Sequence, residues 1–395
     1  MKYISLITTV FAGMILLSCE KEISVSQSES FLKMYGSKGI DKAKGIAVLE
    51  NGGYAICGTD SSGQGTKMML IVTDEYGNLL EGFPKYYPEG ELNAGANAIV
   101  AKNGGKNGFL LCGYIEDENG DKDIFIVKTS AAGGFIWSES YGSSEDEEAL
   151  HAAEGITYEF ILAGYQEKDG EKDVMVMAVD QDLDSIPLSL NYSKPANSKD
   201  AAANYILNQG DHYLCVATYN MFIGEGTKIL ILDFDDDLSP NSKVLGGDFD
   251  QVGKCIVYDG GNEFVVLGNS YNTQTGNSEI LLYSVEAEGL IVRNDRLLAT
   301  ISESGADLRA ERMVKVDGDR YAIVGTRSTN GDSDIFVQFM VDFKKDIDKT
   351  FGSAGIQAGA DIAIAGNGGL VILGDNGFEG NSMISLIKTD ESGNF

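Results

Sequence analysis

Asp117, Asn119, Asp121 and Asp123 place oxygen-bearing side chains at alternate positions of one short segment, Asp117-Glu118-Asn119-Gly120-Asp121-Lys122-Asp123. Hard cations such as calcium are held by oxygen ligands spaced in this way. The segment departs from the helix-loop-helix calcium pattern, because Lys122 stands where that loop has glycine and Lys128 where it has glutamate. Related strings at Asp169 to Asp173 and Asn330 to Asp334 recur at corresponding places. The favoured reading is therefore a hairpin turn whose Asp and Asn side chains accept local backbone N–H bonds, with calcium the only cofactor that the residues leave open. A second acidic set, Asp41, Glu147, Asp200, Asp250 and Asp307, recurs just before a short small-residue segment. At matching points of one architecture these acids would either ring a common axis and hold a cation or cap loops one by one, and capping is favoured.

Catalytic signatures are missing. The chain has no Gly-x-Ser-x-Gly elbow, no His-Glu-x-x-His, no Cys-x-x-Cys and no phosphate loop. Its two histidines, His151 and His212, stand far apart in the sequence, and His151 near Glu147 and Glu148 reads as a structural residue rather than a general base. With 60 carboxylates, a glycosidase-like pair cannot be picked out. A formal net charge of −30 argues against nucleic acid and against anionic lipid headgroups, and it favours cations or basic groups as ligands.

The elements that position these residues repeat. An apolar run ending in a small residue returns seven times: at Gly58, Gly113, Gly164, Ala217, Gly268, Gly325 and Gly374, at intervals of 49 to 57 residues. Each unit contains four short apolar or alternating segments separated by Gly, Asp, Asn and Ser clusters, and none shows helical periodicity. Four-stranded units of this length that cannot bury both faces alone predict an all-β fold, a seven-bladed β-propeller. The chain ends just past the third strand of the last unit, and Phe31 to Gly36 matches the fourth strand Trp137 to Gly142, so the N-terminal strand is expected to close the ring. The fourth repeat departs from the pattern, with Ala217 for glycine.

The succession Tyr-Gly, acidic loop, small-residue strand, Gly-Gly-Tyr turn, Asp-led strand and Lys-Thr-Asp-x-x-Gly-Asn turn resembles the β-propeller repeat of lipid-anchored envelope proteins of Bacteroidetes-type bacteria. That resemblance implies the fold and says little about activity.

The N-terminus reads as an address. Lys2 and the apolar run Ile4 to Leu17 end in Leu16-Leu17-Ser18-Cys19, which resembles a bacterial lipobox. Residues 1–18 are then a signal peptide, Cys19 the lipidated N-terminus, 19–30 a polar tether and 31–395 the propeller. Localisation is expected at the outer membrane, facing the surface or the periplasm, with the lipid as the only membrane contact. Cys57, Cys112, Cys215 and Cys255 fall on strands of different repeats and read as unbridged core residues.

The function expected is non-catalytic binding of a protein or glycan by a monomer. The alternatives are a polysaccharide hydrolase or lyase and a structural component of an envelope assembly. Binding is expected on the loop face carrying Asp41, Tyr114, Asp117, Glu147, Tyr165 and Asp307, with Tyr219 and Tyr271 as further aromatic candidates on that face.

Overall fold

The structure is a computed structural model that describes residues 29–395, except 37–38, 62, 64, 91, 181–188, 193–198, 221–225, 248–249 and 289. The signal segment, Cys19 and nearly all of the tether therefore lie outside the described residues.

Twenty-eight strands and no helix are found among the described residues. The N-terminal strand is β1 (Phe31–Tyr35). The first unit contains β2 (Lys42–Val48), β3 (Tyr54–Asp60), β4 (Lys67–Thr73) and β5 (Lys85–Tyr87). The second contains β6 (Ala94–Ala101), β7 (Phe109–Glu116), β8 (Lys122–Thr129) and β9 (Phe135–Tyr141), and the third β10 (Glu147–Glu154), β11 (Phe160–Lys168), β12 (Glu171–Val179) and β13 (Ser189–Tyr192). The fourth contains β14 (Lys199–Asn208), β15 (Tyr213–Asn220), β16 (Thr227–Phe234) and β17 (Asn241–Leu245), and the fifth β18 (Asp250–Gly260), β19 (Glu263–Asn272), β20 (Asn277–Ala287) and β21 (Val292–Ile301). The sixth contains β22 (Asp307–Asp317), β23 (Arg320–Thr329), β24 (Asp332–Val341) and β25 (Lys344–Phe351), and the last β26 (Ile356–Ile364), β27 (Leu370–Phe378) and β28 (Asn381–Lys388).

Each unit is an antiparallel four-stranded sheet. The last two join through a single parallel bridge, Ser333 to Ile356. β1 pairs antiparallel with β28 in the register Phe31–Lys388 to Tyr35–Ile384, so the last unit takes its fourth strand from the N-terminal end. The fourth unit forms a four-stranded sheet like the rest, with Ala217 buried.

The second and third strands of each unit are near-continuous apolar runs because they are covered on both faces. In β3, Ala55 and Cys57 join Leu111 and Val127 of the second unit, while Tyr54 and Ile56 join Leu373 and Leu386 of the last. Successive side chains point to opposite faces, so one strand feeds two layers. The same holds around the molecule, and seven apolar clusters each lie between two neighbouring units. At about 1.5–3 kcal/mol for each large apolar side chain buried, these layers rather than one central core hold the fold. The four cysteines are free and buried in four different layers, and burial pushes their thiols up.

Candidate functional site: the strand bulges and their cavity

Every innermost strand is broken at the same place. The register between innermost and second strand slips by one residue at Ala43/Gly45, Ala96/Ala98, Ala149/His151, Ala203/Tyr205, Gly253/Cys255, Ala310/Arg312 and Gly359/Asp361. A bulge expels one residue from the ladder and re-aims its side chain. The expelled residues are Lys44, Asn97, Leu150, Asn204, Lys254, Glu311 and Ala360, and all seven line one cavity of about 510 Å³. That volume lies in the range of small-ligand sites.

The bulges also explain the glycine landmark. The last small residue before each bulge pairs directly with the anchor of the second strand, as Ala43 does with Gly58 and Ala149 with Gly164. A Cβ added to Gly164 would sit 1.9 Å from the Glu148 carbonyl oxygen, and one on Gly113 would sit 2.0 Å from that of Gly95. Glycine is favoured there because the backbone carbonyl two residues before the bulge crowds the anchor. The residue after the anchor reaches the next unit: Asp375 Oδ1 accepts the Ala43 N–H at 2.6 Å, Asn269 Oδ1 that of Ala310 at 2.9 Å, and Thr218 Oγ1 that of Gly253 at 3.0 Å.

One residue deeper, a second set narrows the space to about 170 Å³ and includes His151, Tyr205, Arg312 and Asp361. The His151 and Tyr205 rings lie 4.0 Å apart, Arg312 stands 5.2 Å from the Tyr205 ring centre, and its Nε is 4.0 Å from Asp361 Oδ1. Asp361 Oδ2 accepts the Ile46 N–H and His151 Nδ1 that of Ile206. Burial, with the Arg312 charge beside it, holds His151 well below its ordinary value, so it is neutral at pH 7. Burial raises the Asp361 carboxyl although Arg312 opposes the shift. His151 thus fastens two units.

Lys42 and Asp375 line both this cavity and an adjoining groove of about 490 Å³, where Ile40, Ile356 and Phe378 are exposed. The cavity therefore opens near the starts of the innermost strands.

The residues proposed on that face have other duties. Asp307, Asp250 and Asp200 each accept the N–H that opens the third strand of the preceding unit, from Ser278 at 2.7 Å, Thr227 at 2.9 Å and Lys172 at 3.1 Å. Asp41 and Glu147 stand one register position later. Glu147 is buried and accepts the Ser143 N–H and hydroxyl, and Asp41 is buried and accepts the Ser61 N–H. The five acids therefore form no single ring, since adjacent strand residues face opposite ways. They are latches and caps, and the cavity itself carries Lys42, Lys44, Lys254 and Arg312.

Asp117 Oδ1 accepts the N–H groups of Asn119 and Asp121, and its Oδ2 the Asn119 amide. Asp74 and Asp390 build similar turns on Asn78 and Asn394. Asp123 lies at the start of β8, its carboxyl raised by burial and then by Asp117 and Asp121. No cluster of three metal-ligating side chains is found among the described residues. Tyr114 and Tyr165 lie under Lys122 and Lys172, at 4.1 and 3.7 Å, and the Tyr165 hydroxyl donates to Glu148. Tyr219 is buried and Tyr271 exposed. The cavity-lining residues were missed, although aligning the seven small residues that precede the bulges would have displayed them as one column.

The geometry is that of an all-β propeller of four-stranded units with a lined axial cavity. The chain resembles a prolyl endopeptidase structure over 93% of its own length and 48% of that chain's, with 11% identity and a TM-score of 0.50. It also resembles the β-propeller domain of the trilobed protease from Pyrococcus furiosus, with 9% identity over 90% of this chain and 96% of that one and a TM-score of 0.48. A third resemblance is to Sqt1 from Chaetomium thermophilum bound to the N-terminus of a ribosomal protein, with 12% identity over 90% and 98% of the two chains and a TM-score of 0.49. At these identities the likeness concerns the fold alone. The sequence matches no protein-family model and no curated protein.

Proposed function

We propose that this chain is a non-catalytic binding propeller, a monomeric ring of seven blades closed by β1 and held on the bacterial envelope by lipid on Cys19. Its ligand, a protein or a glycan, enters the bulge-lined cavity. One observation carries the binding site: seven bulges at one register aim Lys, Asn, Leu, Asn, Lys, Glu and Ala at a common space, so the scaffold repeats while its lining does not. Loops and bulges on a rigid scaffold are where binding groups vary freely. Closure is supported by the β1–β28 pairing and by the apolar layer that joins the last unit to the first.

The test is a glycan array and an envelope-protein pull-down with the purified protein. Capture without release of reducing ends supports the reading. Turnover of a bound polysaccharide, lost on altering a cavity residue, would replace it with the hydrolase or lyase alternative. Attachment is tested separately: Cys19→Ala should abolish labelling by a fatty-acid probe, and a labelled variant would contradict lipidation at that sulfur.

A further inference from the structure

We infer that the cavity accepts a singly charged carboxylate carried by a sugar, a uronate residue of an acidic oligosaccharide, with Lys44 as its charge partner. This rests on the cavity being the binding site, and it departs from what the whole-chain charge of −30 suggests.

The acids in the cavity are already matched. Asp375 takes the Ala43 N–H and pairs with Lys42 at 3.2 Å. Glu311 pairs with Lys254 at 2.8 Å. Asp361 accepts two backbone N–H groups and faces Arg312. Arg312 in turn donates to the carbonyls of Lys254 and Glu311. Lys44 is exposed on its bulge and makes no hydrogen bond or ion pair with a described residue. The cavity therefore offers one uncommitted cation inside a walled space, where an ion pair is screened less than on an open surface. Glu148, just outside the lining, accepts a bond from the Asn97 amide at 2.7 Å and pairs with Lys122 at 3.5 Å, while salt screens the acids farther out on the surface.

One free charge matches one negative charge. A phosphate dianion would need a second cation, and the others are committed to Asp375, Glu311 and Asp361. The rest of the lining carries no charge: the amides of Asn97 and Asn204 suit the hydroxyls of a sugar, and Leu150 and Val252 beside them suit its apolar face. Both amides already donate to the following units, which holds them in place.

The test is calorimetry on the purified protein at low and physiological salt, with four probes: digalacturonate, its methyl ester, a blocked dipeptide with a free carboxylate, and inorganic sulfate. Digalacturonate should bind, and the ester should bind about tenfold more weakly. Lys44→Met should reproduce that loss, Lys44→Arg should restore most of it, and Lys106→Met on the far face should change nothing. Equal binding of acid and ester would overturn the charge assignment and leave the cavity as a neutral-glycan site. Tighter Lys44-dependent binding of the dipeptide would overturn the sugar assignment, as sulfate binding alone would. No binding of any probe, or digalacturonate binding unaffected by Lys44→Met, would overturn the inference outright.

Discussion

Two columns of residues run around this molecule one strand apart, and they follow opposite rules. On the second strands the anchor is glycine in six units and alanine in one, while on the innermost strands the bulged residue directly behind it is lysine, asparagine, leucine, glutamate or alanine. They belong to one device. Beside the bulge a backbone carbonyl lies against the anchor, which disfavours any side chain larger than the methyl of Ala217 there, and the bulge throws its own side chain toward the axis, where nothing dictates the type. What the fold demands is uniform, and what a ligand meets varies from unit to unit.

The sharpest way to break this contrast is at the seam. Deleting residues 20–36 removes β1 and the buried Tyr35, and it should cost about 3 kcal/mol or more by exposing β28, whereas deleting 20–30 should leave denaturant midpoints unchanged. Equal stability of the two truncations would contradict ring closure.

At the anchors, Gly164→Ala should cost about 2–3 kcal/mol, because its Cβ would meet the Glu148 carbonyl at 1.9 Å. Gly268→Ala should cost less, since the nearest backbone atom there, the Val252 oxygen, is 3.1 Å away and the closest contact is the tip of the Ile229 side chain. Chemical denaturation of the two variants measures the difference, and equal costs would remove carbonyl crowding as the reason for glycine.

The opposite ends of the strands show what a buried acid without a hydrogen bond does. Asp233 at the end of β16 is fully buried, neither of its carboxylate oxygens makes a hydrogen bond, and burial raises its carboxyl to about 6 although His212, 3.9 Å away, opposes the shift. The native state then holds a proton that the unfolded chain has released between its ordinary 3.8 and about 6, so stability falls as pH rises through that window. Asp233→Asn should be more stable than the parent by about 1–2 kcal/mol at pH 7 and should show a flatter profile from pH 4 to 6. Unchanged pH dependence in the variant would contradict the assignment.

The smallest effect belongs to the bulge column. Lys44→Met should shift stability by less than about 0.5 kcal/mol, as expected of an exposed residue without partners. A larger loss would make the bulge side chains part of the scaffold and blur the contrast.

The sequence displayed the anchors because near-identical constraints leave near-identical residues, and it displayed the burial of each second strand on both faces as a near-continuous apolar run. It concealed the lining for the same reason. A search for likeness passes over Lys44, Asn97 and Glu311, which share a position and no chemistry. The acids misled by one register step: Asp307 and Glu147 look equivalent in the chain, yet in a strand that single step sends one side chain to a neighbouring unit and the other into its own loop. Asp117 was read as a turn, and its carboxylate accepts the backbone bonds of its own hairpin.

The central claim is that ligands enter through the bulge-lined cavity, and a plug without charge tests it most directly. Leu150→Trp fills the cavity from a bulge position, and Ile156→Trp places the same ring on the far face. For whatever glycan or envelope protein the wild-type protein captures, affinity should fall at least tenfold in Leu150→Trp and stay within twofold in Ile156→Trp. The reverse pattern, in two variants of equal stability, would place binding on the other face and contradict the account.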